Sequence, residues 1–301
     1  PYMKASICLL LLISFAAFAQ TDEIITSGNS KLRYRTFGEG KPLLIINGGP
    51  GMNSDGFTFI AEALSKYNCQ TIIYDQRGTG KSVLEVSNHK TITMDLMVED
   101  METLRQHLHL DSWAILGHSF GGILATYYAT KHPDRIDRLI LSSSGGINMD
   151  FTSYVYTRQR DNLTLTQKDS LAYYEKKQNN GDTSTETKKG RAKFLAYAYV
   201  YDKSKAPIIA ERLEQFNPEI NLLVIQNLFK IKYDCAQKFK DFHKPVLIFQ
   251  GENDIITVAT AQAIEKAFPN SKLVLLKNCA HYGWLDAPEM YFSNIKTFLN
   301  S

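Results

Sequence analysis

The sequence predicts an α/β protein: a mostly parallel central sheet with helices on both faces and a helical segment inserted late in the chain. Short apolar runs of about four residues recur, each closed by Gly or a polar turn, as strands buried on both faces require. Segments of helical character separate them, the alternation of a doubly wound sheet. One long stretch then interrupts that alternation and contains no strand-like run.

Taken in order, residues 22–36 alternate around Gly28-Asn29 and read as a leading hairpin. Leu43-Leu44-Ile45-Ile46 runs into Asn47-Gly48-Gly49, Thr71-Ile72-Ile73-Tyr74 into Asp75, and Trp113-Ala114-Ile115-Leu116 into Gly117. Leu139-Ile140-Leu141 runs into Ser142-Ser143, and Val246-Leu247-Ile248-Phe249 and Leu273-Val274-Leu275-Leu276 follow much later. Crossover helices are expected near 56–66, 93–109, 120–131, 259–268 and 287–299.

Residues 147–241 form the expected helical cap, inserted into a core made of 20–146 and 242–301. Thr166 is expected to head one of its helices through a Thr-x-x-Asp pattern to Asp169. Pro207 starts another and Glu219 to Lys230 forms a third. Glu175 to Lys193, polar and charged, reads as a mobile loop. Eight of the 16 Tyr residues fall in this cap. It holds 16 Lys and Arg against 12 Asp and Glu, so it is not acidic overall.

The chain has 301 residues, 44% hydrophobic and 22% charged, which excludes collagen-like, disordered and heptad-dominated classes. Its 34 basic and 31 acidic residues leave a formal charge of +3, no electrostatic case for a nucleic-acid partner. Residues 1–19 read as a signal peptide with two residues ahead of Met3: Lys4 gives a positive start, an apolar run follows, and Ala17-Phe18-Ala19 suits cleavage before Gln20. The 12 residues from Ile7 to Phe18 would span about 18 Å as a helix, short of a ~30 Å hydrocarbon core. An exported, periplasmic or secreted protein with no stable membrane span after cleavage is therefore expected. Past Cys8, the three cysteines Cys69, Cys235 and Cys279 show no CxxC or metal-like spacing, and one bridge among them is possible.

Chemistry concentrates at Gly117-His118-Ser119-Phe120-Gly121, a G-x-S-x-G between an expected strand and an expected helix. Such a turn strains the serine backbone and pushes its hydroxyl out at the carboxyl end of the sheet. A serine nucleophile needs a base and an orienting acid. Asp254, in Gly251-Glu252-Asn253-Asp254, and His281, in Cys279-Ala280-His281-Tyr282-Gly283, each follow a later strand. Glu252 is the rival acid, but Asp254 lies farther out along its loop. The order Ser119, Asp254, His281 is that of α/β-hydrolase triads. The Phe120 amide, at a helix start, and the Gly49 amide in Asn47-Gly48-Gly49-Pro50-Gly51 are the candidate oxyanion donors. Residues 75–82, Asp-Gln-Arg-Gly-Thr-Gly-Lys-Ser, end like a phosphate loop but lack its first Gly. They read as a loop bracing the floor of the site.

Together these segments resemble the α/β-hydrolase superfamily, and within it the proline iminopeptidase group, over essentially the whole chain after residue 19. The resemblance rests on residues 47–51, 75–82, 117–122 and 251–254 and on His281. It implies a cofactor-free serine peptidase that removes an N-terminal residue, Pro preferred, from small peptides beneath a helical cap. Three positions depart from the group: Asn47 stands for its usual His, Phe120 for a frequent Trp, and Ile255 where some members carry an acid. The group holds the substrate amine with carboxylates, for which Glu211, Glu214 and Glu219 are the cap candidates, solvated helix faces being the plainer reading of each. The alternatives are a carboxylesterase or other acyl hydrolase with the same triad, and a non-catalytic binding protein of the same fold.

Overall fold

A computed structural model describes residues 20–301; the signal-peptide expectation lies outside the described residues. Eight strands form one sheet: β1 (Thr21–Ser27), β2 (Ser30–Phe37), β3 (Lys41–Ile46), β4 (Cys69–Tyr74), β5 (Trp113–His118), β6 (Ile136–Ser142), β7 (Val246–Gly251) and β8 (Ser271–Leu276). Their order is β1-β2-β4-β3-β5-β6-β7-β8. β1 and β2 pair antiparallel through the expected hairpin, and β2 pairs antiparallel with β4. All remaining pairings are parallel.

The continuous apolar runs divide between two cores because successive strand residues face opposite ways. Leu44, Ile46, Ile72, Tyr74, Ile115, Leu139, Leu141 and Ile248 face one helical layer. Leu43, Ile45, Ile73, Leu116, Ile140, Leu247 and Phe249 face the other. Helices α1 (Thr58–Ser65), α2 (Met94–His107) and α3 (Phe120–Lys131) form crossovers in the first half of the chain. The insertion between β6 and β7 carries α4 (Val155–Asp161), α5 (Leu165–Asn179), α6 (Thr185–Ala196), α7 (Ala206–Leu213) and α8 (Pro218–Lys230). The chain then closes with α9 (Val258–Ala267), α10 (Gly283–Asp286) and α11 (Pro288–Asn300).

Two local expectations are corrected inside the insertion. Thr164, not Thr166, caps α5: its hydroxyl accepts from the Gln167 amide at 3.3 Å while Gln167 Oε1 accepts from the Thr164 amide at 3.0 Å. The same reciprocal grammar operates two residues upstream of the expected cap. The segment 175–193 is no loop either, since α5 continues to Asn179 and α6 begins at Thr185. Asp182 makes the tight turn between them, accepting from the Ser184 amide at 2.9 Å and the Thr187 hydroxyl at 2.7 Å. Charged residues dominate there because both helices show water one face and bury only a narrow stripe, Leu171 on α5 and Ala192 and Leu195 on α6. Cys69, Cys235 and Cys279 are separate buried thiols.

Candidate active site

The loops after β3, β5, β7 and β8 all leave the carboxyl edge of the sheet, and β3 and β5 are the neighbours at which strand order reverses, where open α/β sheets bind ligands. Ser119 sits between β5 and α3 with φ 56° and ψ −119°, a conformation that an L-residue adopts only under constraint. The constraint is visible. The Ser119 amide donates to the Ser142 carbonyl at 3.0 Å, and the Ser119 carbonyl accepts from the Gly122 and Gly145 amides at 2.9 and 3.1 Å. A Cβ at Gly121 would fall 2.1 Å from the Ile46 carbonyl oxygen, so only glycine lets α3 approach β3 this closely.

His281 Nδ1 lies 2.7 Å from Asp254 Oδ1, with the two side chains 2% and 0% exposed. Asp254 is held from two further directions: Oδ1 also accepts from the Ile256 amide at 3.1 Å and Oδ2 from Gln250 Nε2 at 2.8 Å. Its backbone carbonyl accepts from Arg158 Nε and Nη2 at 3.0 and 2.7 Å, a tie from α4 of the insertion to the acid loop. The rival Glu252 points to solvent. The His281 amide donates to the Tyr199 carbonyl at 3.0 Å, and the Tyr199 ring meets the imidazole edge to face at 5.3 Å. His118 packs on the other side with ring centroids 4.7 Å apart. Burial, then the neighbouring His281 and Arg212, hold the His118 pKa well below its ordinary value, so it packs as a neutral ring.

Ser119 and His281 line one cavity of about 300 Å³ with Gly49 and Phe120. The loop bearing Gly49 is braced from both sides. Asn47 Nδ2 donates to the Gly48 and Met52 carbonyls at 3.1 Å each, and the Asn47 carbonyl accepts from Gln76 Nε2 at 2.7 Å. From the insertion, Arg212 Nη2 donates to the Gly48 carbonyl at 2.7 Å and Asn221 Nδ2 to the Pro50 carbonyl at 3.0 Å. Gly48 has no room for a side chain, since a Cβ would lie 2.6 Å from Ser119 Cβ.

Residues 75–82 turn most of their polar groups onto the protein itself. Asp75 accepts from the Ser54 amide and hydroxyl at 2.9 and 2.7 Å and from the Lys81 amide at 2.9 Å. Arg77 forms a buried pair with Asp100 of α2, at 2.9 Å from Nε and 2.5 Å from Nη2, and also donates to Asn29 of the hairpin turn at 2.8 Å. The segment thus joins hairpin, α2 and the Gly49 loop into one support.

The three cap carboxylates fall elsewhere. Glu211, Glu214 and Glu219 are exposed, Glu211 beside a groove against α10 and the other two beside a separate depression formed by residues of the insertion. The cavity wall is apolar at Leu195, Leu213, Phe216, Ile225, Ile255 and Ile256, and its charged groups other than His281 are Arg191 and Arg212. No Asp or Glu lines it among the described residues. Sequence reasoning passed over Arg158, Arg191 and Arg212, which the tertiary fold alone brings to the site, and Gln250, which reaches Asp254 from four residues upstream at the end of β7.

An eight-stranded sheet with a strained serine after β5, an Asp–His pair on later loops and an insertion over the cavity places the chain in a class. It belongs to the alpha/beta hydrolase fold family, which it matches over residues 41–288. Among curated relatives it is 28% identical over 276 residues to a proline iminopeptidase of Saccharolobus solfataricus, covering 89% of this chain and 87% of that protein. It is also 28% identical over 295 residues to a proline iminopeptidase of Heyndrickxia coagulans, covering 93% and 99%. Solved structures of the same fold include an esterase from Exiguobacterium antarcticum, with TM-score 0.71, 18% identity and coverage of 93% and 100%. A proline iminopeptidase from Mycobacterium smegmatis superposes with TM-score 0.68 at 19% identity, covering 93% and 98%.

Proposed function

We propose that this hydrolase works through an acyl-enzyme formed on Ser119, on a small substrate enclosed between the sheet edge and the helical insertion. The observation that carries the reading is the strained Ser119 sharing a cavity with a His281 whose Nδ1 is held 2.7 Å from a buried, hydrogen-bonded Asp254. His281 Nε2 takes the Ser119 proton as the hydroxyl attacks the substrate carbonyl, and Asp254 stabilises the imidazolium. The Gly49 and Phe120 amides receive the oxyanion, His281 then protonates the leaving group, and water releases the acyl group. No step calls for a cofactor.

The relatives support a finer reading, an aminopeptidase that removes N-terminal Pro. That activity needs a carboxylate to hold the free amine. The cavity wall offers none, and Ile255 occupies it where some proline iminopeptidases carry an acid. This lining favours the second reading, an acyl hydrolase of carboxylesterase type. Prolyl arylamide, N-acetylprolyl arylamide and a short-chain aryl ester, each tested with wild type and Ser119→Ala, separate the two. Ester turnover that vanishes in the variant is expected. Turnover of the free-amine arylamide with its acetylated form untouched would instead establish the aminopeptidase.

A further inference from the structure

We infer that the cavity selects a substrate bearing a carboxylate, bound by Arg191 next to the buried positive charge of Arg212. The inference rests on the hydrolase reading above and names its substrate class. Arg212 is 5% exposed. It donates to the Gly48 carbonyl at 2.7 Å and the Tyr282 hydroxyl at 3.1 Å, lies over the Phe57 ring at 5.0 Å, and leaves its buried Nε without a partner. No carboxylate comes within 4.0 Å of it among the described residues. A buried guanidinium without a counterion is costly, and a carboxylate taken into the same cavity offsets that cost.

Arg191, from α6, is the second cation of the wall and the one with hydrogen-bonding capacity to spare. Its guanidinium lies over the Phe216 ring at 5.5 Å, and its side-chain donors have no protein acceptor among the described residues. Gln159 and Asn221, the amide side chains of the wall, each donate one hydrogen bond to the protein, to the Tyr199 hydroxyl at 2.8 Å and the Pro50 carbonyl at 3.0 Å. Asp254, next in sequence to the lining residue Ile255, bonds His281, Gln250 and the Ile256 amide. On its outer side Arg191 faces a depression lined by Lys188, Glu214 and Glu219, and neither glutamate reaches ion-pair distance. A planar guanidinium fork on a wall that is mostly apolar and carries no Asp or Glu suits a small acyl compound with an apolar body and one carboxylate.

The test uses two substrate pairs that differ in that charge. Monophenyl glutarate against methyl phenyl glutarate places it on the acyl side. 4-Carboxyphenyl acetate against its methyl ester places it on the leaving group. In at least one pair the acid is expected to exceed its neutral partner about ten- to hundredfold in kcat/KM, the worth of one charge-assisted contact. Arg191→Gln should erase that advantage through KM, and Arg191→Lys should keep part of it. Should the esters turn over too slowly, protection of Ser119 from a fluorophosphonate probe by glutarate, and not by dimethyl glutarate, reads the same preference. Parity in both pairs and in protection, or an advantage that survives Arg191→Gln, overturns the inference. Absence of Ser119 labelling in the wild type would instead remove the hydrolase reading beneath it.

Discussion

The two walls of the cavity are built on opposite principles. Behind the sheet-side wall stands a hydrogen-bonded frame: the Ser119 backbone, Asp254, Asn47 and Arg77 each make two or more hydrogen bonds to the protein. On the insertion side the wall is apolar apart from Arg191 and Arg212, Gln159, Asn221 and Tyr199, and Arg191 is unspent. The contrast separates two jobs. Chemistry needs groups held to within a fraction of an ångström by a rigid frame, whereas selection needs a surface whose free groups wait for the substrate.

Substitutions on each side can break or sharpen that contrast. The largest effect belongs to Ser119→Ala, expected to lower kcat on the order of 10⁶-fold while the protein unfolds at an unchanged temperature. Steady-state kinetics with a melting curve check both halves. Arg77→Met comes next, because it strands Asp100 as an unpaired charge in the core, where burial already pushes that carboxyl upward despite Arg77. Urea unfolding should show a loss of about 3–5 kcal/mol; a loss under about 1 kcal/mol would mean that the support loop is not a stabilising brace.

Gln250→Leu acts more locally. It removes the donor to Asp254 Oδ2, and kcat/KM should fall by about tenfold to a hundredfold, mostly in kcat. A change confined to KM would show that the acid loop is held without it. The smallest effect is expected on the insertion side, where Ile225→Ala widens an apolar wall. It should shift preference among acyl chain lengths by less than about tenfold, read as relative kcat/KM across a series of aryl esters.

The sheet, its crossover helices and the order Ser119, Asp254, His281 were legible because each is written locally. Four-residue apolar runs name the strands, covered on both faces except at the edge strand β8, where Leu275 is exposed, and G-x-S-x-G between a strand and a helix is a backbone requirement with a sequence signature. The brace role of residues 75–82 was legible for the same reason, since their polar side chains fold back on nearby loops. The cavity wall was not. Arg191 and Arg212 come from different helices of the insertion, and which face of a helix meets a cavity depends on how the helices pack. The excess of Lys and Arg in 147–241 and the Ile255 after Asp254 were the available signals. Glu211, Glu214 and Glu219 met the charge requirement alone, and all three point to water. Glu219, in the first turn of α8 beside its Asn217 cap, complements the helix dipole there.

The central claim, that Ser119 is an activated nucleophile, is tested most directly by intact mass after exposure to a fluorophosphonate probe, with the adduct mapped by peptide digestion. The account predicts a single adduct on Ser119, absent from Ser119→Ala and formed far more slowly in His281→Ala. A folded wild-type protein that takes up no probe, or carries it on another residue, would contradict it.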